Sequence, residues 1–320
     1  MQQDTQQSTV FVTGSTGRLG RTMVRTLVDS GFKVKVLVLE KSAVRLLAPG
    51  TVPFVGSLAD ESVVCEACEG TDVIFHFAAV TQAARSTAEQ VMEANVEGTK
   101  HLLKCAKKAG VRHLIFTSSI DVYGRKRKQP LNEEAKPLPT DKYGYSKMIA
   151  EQEIMESGVP YTILRLSTIY GPGFEHSFFK VFRAIKERKM VIIGKGDNHL
   201  SLVHINDVVK ALMLVMENPR ASIGKVYNVS DGVAHTQEGL IGTAADLIGV
   251  ERPKRHISEL VVRMLAKSRN LDSDELRFLT SDRVIDISRI KRELGYSPDI
   301  DIRTGGRELV NEFLNKWKSK

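Results

Sequence analysis

An α/β fold with a parallel sheet is what this sequence predicts, on three observations. Apolar strand-like runs alternate with helical periods through the first half, glycines close the helices, and a glycine-rich turn joins the first strand to the first helix. Val10-Phe11-Val12 is the first run, and Arg21 to Ser30 then places Met23, Val24, Leu27 and Val28 at helical spacing. Gly31 ends that helix, and Lys33 to Leu39 is apolar and β-branched enough for a second strand. Val52 to Val55 reads as a third strand and Ser62 to Glu69 as a helix closed by Gly70. Val73 to Phe77 is a continuous apolar run of the kind covered on both faces in a parallel sheet. Glu89 to Ala109 reads as one long helix ending at Gly110, followed by a strand from His113 to Thr117. Strand, helix and strand in succession form right-handed crossover units.

The segment from Tyr123 to Lys142 is rich in proline and charge and has no period, and loops of that length usually carry function. Helix resumes around Ser146 to Glu156, and Tyr161 to Arg165 gives another strand. After Tyr170-Gly171-Pro172-Gly173 the character changes to helices joined by short strands, with one strand near 226–229 returning to the main sheet. Asn206-Asp207 precedes the apolar run Val208 to Met216, so Asp207 is expected to cap a helix.

Composition narrows the class. The chain has 320 residues, 42% of them hydrophobic and 26% charged, which suits a globular enzyme and excludes wholesale disorder. A net charge of +8 raises the question of an acidic partner, but 6% aromatic content and the lack of any nucleic-acid motif argue against nucleic acid. The densest basic patch, Arg125-Lys126-Arg127-Lys128, reads as a solvated loop or as a lip that draws in an anionic ligand. Cys65 and Cys68 have CxxC spacing without a second pair of ligands, so they are expected to be inert thiols, and with Cys105 they suggest a reducing compartment. Residues 1–8 form a polar tail unlike a signal peptide, and no apolar run reaches the ~20 residues of a membrane span. A cytoplasmic location without membrane attachment is therefore expected.

Thr13-Gly14-Ser15-Thr16-Gly17-Arg18-Leu19-Gly20 follows the first strand and opens the first helix. Glycines at such a turn let the backbone approach a pyrophosphate, which then sits on helix N–H groups at the positive dipole end. As the first βα turn of its unit it predicts a dinucleotide site on a Rossmann fold. Tyr143 and Lys147 stand four apart, hence on one helix face, where an ammonium would lower the phenol's pKa towards working pH. A tyrosine so tuned can take the proton of a secondary alcohol, or return it to a ketone, while hydride moves to or from a nicotinamide.

The spacing TGxxGxxG is the first of several motifs that occur together and in order. The others are Gly56-Ser57-Leu58-Ala59-Asp60, His76-Phe77-Ala78-Ala79, Asn95-Val96-Glu97-Gly98-Thr99 and Thr117-Ser118-Ser119-Ile120-Asp121-Val122-Tyr123-Gly124. Tyr143-Gly144-Tyr145-Ser146-Lys147, Leu164-Arg165 with Tyr170 to Gly173, and Val203-His204-Ile205-Asn206-Asp207 complete the set. From Val10 to about Trp317 the chain resembles the extended short-chain dehydrogenase/reductase family, of NAD-dependent epimerase/dehydratase type. The resemblance implies a doubly wound parallel sheet over residues 9–170 and a smaller, mostly helical substrate-binding part over 171–320. It implies Ser119 as hydrogen-bond donor to the reacting oxygen, Tyr143 as general acid/base, and Lys147 also on the nicotinamide ribose. Gly14, Thr16, Gly17, Arg18, Leu19 and Gly20 would hold the pyrophosphate, with Ser57, Leu58, Phe77, Ala78, Ala79 and Leu166 along the cofactor. Asn95 would support the site, and His76 is read as structural. Val80, Asp121, Phe174 and His199 are the substrate-side candidates, and a homodimer is a family expectation.

The departures bear on chemistry. The usual acidic position after the second strand holds Val38 and the usual basic one Leu39, with Glu40 and Lys41 following. NAD is expected and NADP stays open. Ser57 replaces the aspartate that commonly contacts adenine. Ile120-Asp121 keeps only half of the acidic pair that family dehydratases carry, and His199 stands where nucleotide-sugar enzymes place an arginine. The Phe174, Phe178 and Phe179 segment with Leu200 leans towards the hydroxysteroid-dehydrogenase-like and flavonoid-reductase-like branch. A secondary-alcohol/ketone oxidoreductase is expected first, a nucleotide-sugar epimerase with bound NAD second, and a non-catalytic nucleotide-binding scaffold third.

Overall fold

The computed structural model describes residues 8–81, 86–124, 128–268 and 281–318. Seven parallel strands form the central sheet: β1 (Thr9–Thr13), β2 (Lys33–Val38), β3 (Val52–Val55), β4 (Val73–His76), β5 (His113–Ser119), β6 (Tyr161–Leu166) and the returning strand Lys225–Val229. Read across the sheet, the order is Lys225–Val229, β6, β5, β4, β1, β2, β3. The chain winds outward from β1 through β2 to β3, then crosses back to β4 beside β1 and winds the other way. The order therefore reverses between β1 and β4, and ligands of open α/β sheets bind in the crevice at that point.

Strand alternation divides the core between the sheet's two faces. Val10, Val12, Val34 and Val36 enter one apolar cluster, while Phe11, Leu37, Ile74 and Leu114 enter the other. Helix α1 (Arg18–Asp29) buries Gly20, Met23, Val24 and Leu27, the i, i+3, i+4, i+7 stripe that lies on a sheet. A third cluster gathers Phe182, Ile192, Ile241 and Phe313 from the second half of the chain.

Three helical expectations need correction. The stretch read as one helix from Glu89 is broken into α3 (Ala88–Met92), a π-helical turn (Glu93–Glu97) and α4 (Gly98–Lys108). Such turns insert a residue without interrupting the apolar stripe, so periodicity does not register them, and they favour functional sites. Helix α5 (Lys142–Glu156) begins a turn earlier than Ser146, because the Asp141 side chain caps it by accepting from Gly144 N at 2.8 Å. Asp207 does not cap its helix (Ile205–Glu217), whose cap is His204. Its carboxylate instead accepts from the backbone N–H of Asp299 and Ile300.

The cysteine reading is also overturned in part. Cys65 in α2 (Glu61–Cys68) is disulfide-bonded to Cys105 in α4, across a sequence separation of 40. Helix crossing brought together two thiols that spacing along the chain could not pair, and the argument for a reducing compartment falls away. Cys68 is the buried thiol, pushed up to about 12 by burial, and stays unreactive. Among the described residues, no helix is long and apolar enough to cross a membrane.

Candidate active site

The candidate residues collect at the carboxyl ends of the strands. Thr13 is opposite His76 in the β1–β4 register, and Ser119 is opposite Leu166 in the β5–β6 register. The glycine turn follows β1, Phe77 to Val80 follow β4, and Glu40 and Ser57 follow β2 and β3. Gly14 has φ +67°, and a Cβ there would lie 2.6 Å from Ala78 N, so only glycine lets this turn close on the neighbouring strand end. Gly17 caps α1, whose first N–H groups face the cradle that a pyrophosphate would fill.

His76 is buried on the floor of this crevice, with ring nitrogens 2.7 Å from Thr13 Oγ1 and 2.9 Å from Thr99 Oγ1. Burial, with the nearby Lys147 charge, depresses its pKa to about 3, so it is a neutral strut. Asn95, on the π-turn, ties the site together. Its Oδ1 accepts from Val80 N at 2.7 Å, and its Nδ2 donates to Val80 O at 3.0 Å and to Ser146 Oγ at 2.9 Å. One amide thereby fixes the chain after β4 against the helix that carries Tyr143. Ser146, which no sequence signal marked, completes this link by donating to Tyr143 O at 2.8 Å.

Tyr143 and Lys147 do share a face of α5, with the Lys147 ammonium 6.0 Å from the Tyr143 ring centroid. Lys147 is buried, donates to Thr117 O at 2.9 Å and lies 4.4 Å above the Phe116 ring. Burial pulls its pKa down to about 7 against the raising effect of Glu151. Burial, then the charges of Asp121 and Asp141, push the Tyr143 phenol above its ordinary value. The phenol's shift is upward, against the expectation that Lys147 draws it down. Tyr143 therefore stays protonated at neutral pH.

Ser119 Oγ donates to Asp121 Oδ2 at 2.9 Å, and Arg283 Nη2 meets Asp121 Oδ1 at 2.6 Å. Sequence reasoning missed Arg283, because it lies 162 residues from its partner in no recognisable motif. On the substrate side, the Arg18 guanidinium sits over the Phe174 ring at 5.2 Å, joining the glycine turn to the start of the second part. Phe178 and Phe179 are partly buried and pack against Phe182, and Phe179 also meets Phe313. Leu200 is buried. His199 is half-exposed, with Nδ1 3.5 Å from Asp282 Oδ1. Glu40 is exposed just past the end of β2. Ser57 gives its hydroxyl to Asp60 at 3.0 Å, and Leu58 is buried beneath Gly98. Arg125 to Arg127 of the basic patch lie outside the described residues, and Lys128 is exposed.

The sequence profile of the NAD dependent epimerase/dehydratase family matches residues 10–230. The chain belongs to this family. Members of the family similar to it include a Stigmatella aurantiaca 4-hydroxy-2-methyl-3-oxo-4-farnesyl-3,4-dihydroquinoline-1-oxide ketoreductase, 27% identical over 92% of this chain and 93% of the relative. A UDP-glucose 4-epimerase of Vibrio cholerae is 28% identical over 95% of both chains. In fold, the Bordetella bronchiseptica enzyme WbmG in complex with NAD matches with a TM-score of 0.81 at 22% identity, covering 99% of this chain and 97% of that one.

Proposed function

We propose that this protein is an NAD-dependent oxidoreductase that interconverts a secondary alcohol and a ketone, with Tyr143 as general acid/base. The reading is supported by Ser119 at the end of β5 and by the Tyr143 helix, whose Lys147 bonds Thr117 O of that strand, beside the glycine turn that closes on the end of β4. That turn and the N-terminus of α1 suit a dinucleotide. NAD, when bound, supplies the hydride acceptor or donor. The chain's own residues do the remaining work: Gly14 and Gly17 admit the pyrophosphate, Lys147 meets the ribose, Ser119 turns its hydroxyl from Asp121 to the reacting oxygen, and Tyr143 moves its proton. Residues 171–320 supply the substrate side, and the protein pairs as a homodimer.

The cofactor choice rests with Glu40, whose carboxylate would accept from the ribose 2′-hydroxyl and repel a 2′-phosphate. Glu40→Gln should tighten NADP roughly tenfold, ~1.4 kcal/mol, without helping NAD. Calorimetry in which the unmutated protein binds NADP more tightly than NAD would overturn this and move attention to Lys41 and Arg18.

A mid-sized organic alcohol or ketone fits better than a nucleotide sugar. His199 stands at the place of the expected arginine, and the Arg18 guanidinium lies over the apolar Phe174 ring. The relatives span both choices: ketoreductases and hydroxysteroid dehydrogenases on one hand, UDP-glucose 4-epimerases on the other. Thermal shift with NAD present separates them, because a ligand at 100 times its Kd adds about 2.7 kcal/mol to the folded state. Stabilisation by a 3β-hydroxysteroid or a dihydroflavonol is expected. Stabilisation by UDP-glucose alone would make the epimerase reading the lead.

A further inference from the structure

We propose that Arg283 is a positioning residue for the reaction, which it serves by anchoring Asp121 and, through Asp121, the hydroxyl of Ser119. The inference rests on the reading of Ser119 and Tyr143 as the reacting pair.

The contacts form a chain of three side chains. Arg283 Nη2 stands 2.6 Å from Asp121 Oδ1, with only 7% and 12% of the two side chains exposed. The second carboxylate oxygen, Oδ2, accepts the Ser119 proton at 2.9 Å, while Asp121 N donates back to Ser119 Oγ at 3.2 Å. Ser119 ends β5, and Asp121 sits in the short helical turn Ile120–Tyr123 that follows it. Helix α5 presses on this same turn. A Cβ on Gly144 would lie 2.5 Å from Asp121 O, so Asp121 is wedged between the Tyr143 helix and Arg283.

Arg283 is itself held from the substrate side. Its N–H donates to His199 O at 2.7 Å, and its carbonyl accepts from Ser201 N at 2.8 Å. Ile285 N donates to Ser201 Oγ at 3.2 Å, and Asp282 Oδ1 accepts from His199 N at 2.7 Å. The segment bearing Arg283 is thus laced to residues 199–201, and the arginine reaches from there to the reacting serine.

Charge gives this geometry a consequence. The charges that raise the Tyr143 phenol are Asp121 from the turn and Asp141 at the helix cap; the Lys147 ammonium faces the ring at 6.0 Å, and Arg283 reaches the phenol through Asp121. The two carboxylates oppose phenolate formation, and Arg283 offsets one of them. Without Arg283, Asp121 is a buried carboxylate with its counter-ion gone, next to both reacting groups. It then holds the Ser119 proton more tightly and opposes the phenolate more strongly. Both effects slow alcohol oxidation, and neither touches the cofactor cradle.

The test uses full-length protein with NAD and two alcohol probes, a 3β-hydroxysteroid and the flavan-4-ol formed by reducing a dihydroflavonol, with Tyr143→Phe as the control for catalysed turnover. Arg283→Met should lower kcat at least about tenfold, leave NAD affinity unchanged, and move the rise of activity with pH roughly one unit to the alkaline side. Arg283→Lys should recover part of both effects. The double variant Asp121→Asn/Arg283→Met removes both charges, so it leaves no lone buried ion. It should return the pH profile to near its original position and keeps the test readable if Arg283→Met melts. An Arg283→Met protein with unchanged kcat and pH profile overturns the inference while leaving the proposed function standing. A double variant whose profile stays displaced also overturns it. No Tyr143-dependent turnover of either probe by the unmutated protein overturns the oxidoreductase reading and this inference with it.

Discussion

Tyr143→Phe should lower kcat by about 10²–10⁴-fold and change NAD affinity little, since the phenol's oxygen is the proton-transfer group and the ring remains. More than about a tenth of the original rate would sink general acid/base catalysis by this residue. The pH dependence follows from the direction of its shift. Burial, Asp121 and Asp141 raise the Tyr143 pKa, so the neutral phenol persists to higher pH. Ketone reduction, which consumes the phenol's proton, is then fully available at neutral pH and declines only as pH climbs to that raised value. Alcohol oxidation needs the phenolate and gains steadily over the same climb. Lys147 titrates the opposite way. Its pKa falls to about 7, so the cation beside Tyr143 is present below that pH and is lost above it. Lys147→Met should therefore weaken both turnover and NAD binding, a pairing of effects that Tyr143→Phe does not show. Steady-state rates in both directions between pH 6 and 10, with calorimetric NAD titrations, distinguish the two.

How much of this was legible in the sequence depends on the range of the interaction involved. The sheet strands were readable because each is a local apolar run bounded by glycine, and β3 and the returning strand lie where those runs placed them. The glycine turn and the Tyr143/Lys147 spacing were readable because backbone clearance and a helical turn are both local requirements. The π-turn under Asn95 was not, since one extra residue in a helix leaves the apolar pattern intact. Phe178 and Phe179 illustrate the ambiguity of apolar side chains: pocket and core ask for the same residues, and these two lie partly buried against the third cluster. The Cys65–Cys105 bridge and the Arg283–Asp121 pair depend on which helices and strands cross. That information lies in tertiary packing, across separations of 40 and 162 residues, and no spacing rule reaches it.

Arg165 presents the same problem in the scaffold, and its replacement should have the largest effect on stability. Arg165 leaves β6 and meets Glu151 of α5 through two bonds, Nε to Oε1 at 3.0 Å and Nη2 to Oε2 at 2.6 Å. Nη1 donates to Tyr123 Oη at 3.0 Å, and Tyr123 in turn donates to Asn228 Oδ1 at 2.7 Å. The Asn228 amide then donates to Leu131 O and Asp286 O, so one network joins α5, the turn after Ser119, the last sheet strand and the chain beyond it. Both charged side chains are nearly sealed from solvent, at 4% and 3% exposure. Arg165→Met strands Glu151 in this environment and should cost about 3–5 kcal/mol. Glu151→Leu added to it removes the stranded charge and should restore most of that loss, because an apolar pair tolerates burial where a lone carboxylate does not. The site registers the change as well. Glu151 lies one helical turn beyond Lys147 and already raises its pKa, so losing Arg165 should hold Lys147 protonated to higher pH. Urea unfolding of the two variants, read beside NAD affinity against pH, tests both parts. A double variant no more stable than Arg165→Met would mean that the Tyr123 and Asn228 links, not the buried charge, dominate this network.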